Sequence, residues 1–189
     1  MSRRQLRTPL AVVVLGMLTE EPLHGYAMRR RIEERAYDRL PGVKTSSLYD
    51  AIRRLDAAGL IDSGGTDRDG NRPDRTRFAI TPQGAAALTA WLQETLSDDS
   101  DADGLPAALS FMYPLGREQT IELLGGRLER MSATLEADET ALRNANAEAT
   151  NPIFLSEHEY QLARRRAERA WLADLLTSLE SGALVWPVR

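Results

Sequence analysis

Lys44-Thr45-Ser46-Ser47-Leu48-Tyr49-Asp50-Ala51-Ile52-Arg53-Arg54-Leu55-Asp56-Ala57-Ala58-Gly59-Leu60-Ile61 is the stretch that decides the fold. Leu48, Ile52, Leu55 and Ala58 or Leu60 recur at helical spacing, which predicts a helix with one apolar face. The hydroxyl of Thr45 or Ser46 can cap free N–H groups at its start, and Gly59 tolerates the left-handed conformation at its end. Off the apolar stripe lie Lys44, Thr45, Ser46, Ser47, Tyr49, Arg53 and Arg54. These are donors or cations, the chemistry that meets phosphates and base edges. One side of this helix is therefore expected in a core and the other against nucleic acid.

The flanking sequence supplies the rest of a known arrangement. Leu10 to Leu18 predicts a buried helix ended by Glu20-Glu21-Pro22, since proline discourages continuation. A second helix is expected from about His24-Gly25-Tyr26 to Arg39, followed by a turn at Pro41-Gly42. Beyond Gly59, Leu60-Ile61-Asp62-Ser63 and Arg75-Thr76-Arg77-Phe78-Ala79-Ile80 are strand-like runs on either side of Asp69-Gly70-Asn71, a hairpin tip. Thr81-Pro82 then provides the N-cap and first position of a fourth helix reaching about Leu96. Helix, helix, turn, helix and hairpin make a winged helix-turn-helix, in which the helix after the turn enters the major groove. The hairpin is the wing, and its Arg68, Arg72, Arg75 and Arg77 are placed to meet neighbouring phosphates or a minor groove. Arg4, in the basic start of the chain, joins the set of expected DNA contacts.

Asp98 to Gly104 is acidic and unsuited to packing, so the expected division is a winged helix over residues 1–97, a linker over 98–104 and a helical domain over 105–189. The fold class is thus mainly α with a β wing, followed by an all-α C-terminal half. That half opens with a short apolar helix, Leu105 to Leu115, and continues with a long one from Glu118 to about Ala147. Ile121, Leu124, Leu128, Met131 and Leu135 form a coiled-coil-like seam along it, up to the break at Asn151-Pro152. The last helix, about Ser156 to Ser181, carries Tyr160, Ala163, Ala167, Trp171, Leu175 and Leu179 on one stripe, with Leu172 and Leu176 beside it. So wide a stripe needs more than one neighbour, which predicts dimerisation through this half. Two-fold symmetry would then set two recognition helices about 34 Å, or a multiple of it, apart on a palindromic operator.

Three stretches resemble the PadR family of bacterial regulators, in its longer subfamily with a helical C-terminal region: Pro22-Leu23-His24-Gly25-Tyr26, then Ser47 to Leu55 with Gly59-Leu60-Ile61, and Arg77 to Gly84. The likeness covers about residues 8–90. It implies a homodimeric regulator, usually a repressor, on an inverted-repeat operator, with Ser47, Tyr49 and the wing arginines facing DNA. Where the family often has proline after that tyrosine, this chain has Asp50, an acid that would repel phosphate unless it pairs with Arg53 or Arg54. Repressors of this kind are often released by a small molecule. Phe111, Tyr113, Tyr160, Trp171 and Trp186 are the candidate lining for a small hydrophobic or aromatic effector.

Composition narrows the alternatives. The net charge of −4 is unevenly spread, with 15 Lys plus Arg against 12 Asp plus Glu in residues 1–96 and 9 against 16 in the remainder. That asymmetry suits a DNA-binding module joined to an acidic partner module. There is no cysteine, and the two histidines, His24 and His158, lie far apart, so no metal or cofactor is expected and cytosol fits best, with nucleoid association. The basic start followed by Leu10 to Leu18 superficially resembles a signal peptide, but it lacks the small-residue cleavage pattern and is too short to span a bilayer. Glu157-His158-Glu159 is the one acid-base cluster, and consecutive helical positions cannot converge, so no enzyme is expected. The competing function is a winged-helix adapter that binds protein. Gly25 is expected to let the second helix start close to another backbone, and Gly125-Gly126 to mark a kink or a close helix crossing.

Overall fold

The computed structural model describes residues 8–67, 75–147 and 151–187. It falls into two compact units, one of Met1–Thr95 with Asp101–Pro114 and one of Leu96–Ser100 with Leu115–Arg189.

The first unit is built around α1 (Pro9–Glu20), whose residues from Leu10 to Leu18 are all buried. Thr8 caps it by accepting from the Ala11 N–H at 3.4 Å, and Pro9, which has no N–H to leave unsatisfied, opens the first turn. Its C-terminal acids tie it to α2 (Gly25–Glu34): Arg35 holds Glu20 through two hydrogen bonds of 2.5 and 2.8 Å, and Arg31 reaches Glu21 at 2.5 Å. The Arg31 hydrogen bond and charge hold the Glu21 carboxyl below its usual value. α2 is shorter than its periodicity predicts. Ala36 adopts the left-handed conformation, φ 55°, and the chain then tightens into a 3₁₀ turn at Tyr37–Arg39.

A second 3₁₀ turn, Thr45–Ser47, leads into α3 (Leu48–Ala57), which buries Leu48, Ala51, Ile52 and Leu55 against α1 and α2. No side-chain cap forms at its start, contrary to the expectation for Thr45 or Ser46. At its end Gly59, φ 68°, donates to the Asp56 carbonyl at 2.8 Å, and Leu60 donates to Leu55 at 2.9 Å. This paired termination satisfies carbonyls that the helix itself cannot. The wing follows as β2 (Ile61–Asp67) and β3 (Arg75–Ile80), antiparallel with Ile61 opposite Ile80 and irregular between Gly64 and Thr66. β3 is central in the sheet, because β1 (Leu23–His24), a strand too short to show in the sequence pattern, pairs with its other edge. α4 (Pro82–Ser97) starts as expected, with Thr81 Oγ1 accepting from the Gly84 N–H at 3.0 Å.

The division into units differs from the one expected at residues 98–104. α5 (Leu105–Ser110) belongs to the first unit and packs on α1. Phe111, fully buried, fills the space a side chain at Gly16 would occupy: a Cβ there would lie 2.2 Å from the ring. The ring also meets Tyr37 at 5.1 Å between centroids, and the Tyr113 and Thr19 hydroxyls share a hydrogen bond. The apolar run after the acidic stretch is thus the lid of the first core. The hydrophobic pattern marked it as a helix without indicating which half it would cover.

The second unit is a helical hairpin of α6 (Arg117–Ala147) and α7 (Ser156–Glu180). Its cross-links run in opposite order along the two helices: Arg117 donates to the Leu179 carbonyl, Arg127 to Glu168 at 3.1 Å and Arg166 to Glu139 at 2.9 Å. The helices are therefore antiparallel. Leu124, Met131 and Leu135 of α6 and Leu162, Leu172, Leu176 and Leu179 of α7 are buried. Arg127 is 0% exposed and also donates to the Asp98 carbonyl, so one guanidinium joins α7 to the chain leaving α4. Gly125 is no close crossing, since a Cβ there would meet nothing within 4 Å. Among the described residues no helix is long and apolar enough to cross a membrane, and no cluster of His, Cys, Asp or Glu could hold a metal ion.

The Gly16 contact yields a test of the first core. Gly16→Ala should cost ~1–3 kcal/mol by overpacking, and Phe111→Ala ~3–5 kcal/mol by truncation. In the Phe111→Ala background the Gly16 substitution should become nearly free, as measured by urea unfolding of the four proteins. Independent, additive costs would refute the packing of 101–114 on α1.

Candidate nucleic-acid interface

The exposed side of α3 carries most of the predicted contacts. Lys44 and Ser46 are exposed and Thr45 and Ser47 half-buried in the turn before it, while Arg53 and Arg54 stand in solvent on its outer face. Tyr49 is 56% exposed. The helix can spare these residues because Leu48, Ala51, Ile52 and Leu55 fill the core side.

The acid among them is not left unpaired. The Asp50 carboxylate accepts from Arg53 Nη2 one turn along, and Arg54 Nε donates to the Asp50 backbone carbonyl at 3.2 Å. Two guanidinium groups thus converge on one residue. Ser47, Asp50, Arg53, Arg54 and Ala57 surround a shallow concavity of about 630 Å³. An array of donors with one embedded acceptor is suited to base edges, which present both kinds of group in the major groove.

Tyr49 is steadied from the start of α2. A Cβ at Gly25 would lie 2.9 Å from the Tyr49 ring and 3.6 Å from Ile52 Cδ1. The glycine therefore makes room for side chains of the recognition helix, and not for another backbone as the sequence suggested. That role is invisible without the fold, because the partners are more than twenty positions away. Beside it Tyr26, which the sequence did not mark as a candidate contact, is 69% exposed at the first turn of α2.

On the wing, Arg77 is exposed and its Nε donates to the Pro22 carbonyl at 3.2 Å, while His24 Nδ1 lies 3.1 Å from the Thr76 carbonyl. These contacts bind β1 to the wing and hold Arg77 at its base. Arg75 has its backbone in β3 opposite Asp67, and its side chain lies outside the described residues. Arg4, Arg68, Arg72 and the hairpin tip Asp69 to Asn71 also lie outside them.

Residues 14–90 match the Transcriptional regulator PadR-like family. They form a PadR-like domain. The match runs from the middle of α1 to the middle of α4 and so contains α3 and the wing. The family consists of transcriptional regulators. No curated protein matches the chain. Solved structures similar to it include Bacillus subtilis PadR in complex with operator DNA, at 21% identity over 90% of this chain and 98% of that one, with a TM-score of 0.41. Another is the same organism's PadR in complex with p-coumaric acid, at 20% identity over 91% and 99% of the two chains and a TM-score of 0.38. A transcriptional regulator from Clostridium thermocellum is 29% identical over 50% of this chain and 86% of its own, with a TM-score of 0.39.

Outside the PadR-like domain, the residues predicted for the dimer divide into two groups. Leu124, Met131, Leu135, Leu172, Leu176 and Leu179 are buried within the hairpin, so they face their own chain and not a partner. Antiparallel pairing of α6 and α7 supplies one neighbour for that seam and buries its Leu124, Met131 and Leu135. Ile121, Leu128 and Leu175 are half-buried, whereas Tyr160, Ala163, Ala167 and Trp171 are exposed along one side of α7. The five aromatics named for an effector are not one cluster within either unit. Phe111 and Tyr113 belong to the first, and Tyr160, Trp171 and Trp186 to the second.

Gly25→Ala should push the Tyr49 ring from its seat with little effect on stability, because the ring edge is the movable partner. Tyrosine ring resonances in the variant's NMR spectrum should change at Tyr49. An unchanged Tyr49 would show that the contact does not hold the ring.

Proposed function

We propose that this chain is a sequence-specific DNA-binding regulator, a homodimeric repressor that grips an inverted-repeat operator with α3 in the major groove and the wing on adjacent phosphates. The observation that carries the proposal is the outer face of α3 and the turn before it, where Lys44, Ser46, Tyr49, Arg53 and Arg54 are exposed while the opposite face of the helix is buried. Membership of residues 14–90 in a family of transcriptional regulators supports it. The winged helix over residues 1–97 is proposed as the DNA-binding part, although α5 packs beneath it and would have to accompany any stable fragment. A cytoplasmic, nucleoid-associated location follows from the same function.

Dimerisation is proposed through the side of α7 that the hairpin leaves open. Tyr160 is 61% and Trp171 47% exposed, and Ala163 and Ala167 lie between them at helical spacing. Small residues flanked by aromatics allow a second helix to approach closely while burying large apolar area. The proposal also includes release by a small hydrophobic or aromatic effector, which would register as a ligand-dependent loss of operator binding.

Two measurements test these statements. Binding to a selected inverted repeat should weaken steeply with salt, and Arg77→Ala should reduce the slope of log K against log salt by about one while leaving sequence preference unchanged. Binding indifferent to salt would favour a protein-binding adapter. In sedimentation, the intact chain should run as a dimer, and Ala167→Glu with Trp171→Glu should run as a folded monomer. A wild-type monomer at micromolar concentration would overturn the dimer.

A further inference from the structure

Asp50 is the feature of the α3 face that phosphate attraction does not account for. A carboxylate in the first turn of a helix is favoured by the helix dipole, and an acid three residues before an arginine pairs with it readily. Both effects would be served equally well by an acid turned away from the interface. Here it stands instead between Tyr49 and Arg53 on the exposed face, with Arg53 on its carboxylate and Arg54 on its carbonyl. On a purely phosphate-binding surface that acid would cancel part of the charge that attracts DNA.

At neutral pH an aspartate only accepts hydrogen bonds and a guanidinium only donates them. In the major groove the donors are cytosine N4 and adenine N6, and the paired acceptors O6 and N7 belong to guanine. Residues three apart on a helix lie side by side, and the first turns of a recognition helix are the part that reaches base edges. An Asp50–Arg53 pair therefore matches a C·G pair, or adjacent pairs carrying cytosine and guanine. Asp50 accepts from cytosine N4 while Arg53 donates to guanine O6 and N7. The same carboxylate repels guanine and thymine acceptors at its own position, and repels phosphate.

We infer that Asp50 is a specificity-determining residue that selects cytosine in each operator half-site and holds Arg53 in register for a neighbouring or paired guanine. This rests on the DNA-binding function proposed above and names what one part of that interface reads. The intrahelical pair already holds the guanidinium beside the acid, so Arg53 enters the groove with fewer conformations to lose.

The test is selection of randomised inverted-repeat duplexes by the full-length wild type, Asp50→Asn, Asp50→Ala and Arg53→Ala, followed by affinity measurement on single-base variants of the selected site. Wild type should enrich a half-site with a fixed cytosine, and replacing that base should weaken binding about tenfold or more. Asp50→Asn should move the preference at that position toward adenine, because an amide both donates and accepts as adenine requires. Asp50→Ala should flatten that position while tightening binding to unrelated DNA, and Arg53→Ala should flatten the guanine. Asp50 is exposed, so the variants should fold, with circular dichroism as the check. If wild type and Asp50→Asn select the same site with the same base penalties, Asp50 only stabilises its helix and the inference fails. If Asp50→Ala binds every sequence more tightly with unchanged preference, the acid only tunes charge and the inference likewise fails. Should wild type enrich no sequence at all, the DNA-binding proposal falls first and takes this one with it.

Discussion

The backbone carbonyl of Leu60 and the missing side chain of Gly84 set the geometry on which the rest of the first unit depends. A Cβ at position 84 would sit 1.9 Å from the Leu60 oxygen, far closer than a non-bonded carbon can approach. That carbonyl also accepts from the Thr81 N–H at 3.1 Å, and the Thr81 hydroxyl donates to the Gly59 carbonyl at 2.8 Å. The exit of α3, the base of the wing and the first turn of α4 therefore meet at one backbone contact. The angle between recognition helix and wing is fixed there, by hydrogen bonds and steric exclusion, before any side chain reaches DNA. A glycine with an ordinary backbone conformation is needed for this purely because another chain segment occupies its Cβ position.

Much of this was legible in the sequence because the signals are local. Helix spacing in Leu48, Ile52 and Leu55, the stop at Gly59 and the Thr81-Pro82 start each depend on neighbours a few residues away, and all three occur where they were expected. The exposed donors of α3 follow directly from that apolar stripe. What escaped notice depends on partners remote in the chain. β1 is two residues long and exists only because β3 offers it an edge, and α2 ends early because Ala36 takes a conformation that no residue type there announces. The role of Gly25 depends on Tyr49, and that of Gly16 on a phenylalanine ninety-five positions downstream.

The long helices illustrate a different limit. A repeating row of leucines states that a neighbour is needed without stating whose. In α6 and α7 the neighbour is the same chain, turned back by the Asn151-Pro152 break, where the Asn151 side chain accepts from the Ile153 N–H at 3.1 Å. Several polar anchors then hold the register of that hairpin. Arg117 covers the last carbonyls of α7, where the helix leaves acceptors unsatisfied and its dipole favours a cation. Arg127 is enclosed between Glu168 and the Asp98 carbonyl. Burying a guanidinium is tolerable only with such partners, which makes this pairing specific in a way that leucine contacts are not. The aromatic side of α7 is what remains after these demands are met.

The path of the chain between its two units also bears on how such a protein can change over generations. It leaves the first unit after Thr95, contributes five residues to the second, returns to lay Phe111 and Tyr113 against α1, and departs again at Leu115. A recombination event at the acidic stretch would separate the first core from its own lid and leave the foreign half carrying an orphaned apolar segment. Viable exchange of C-terminal halves between relatives is thus confined to junctions after Pro114. The segment before that point must be inherited together with the DNA-binding half, and its divergence should follow that of α1 instead of that of the helices it precedes.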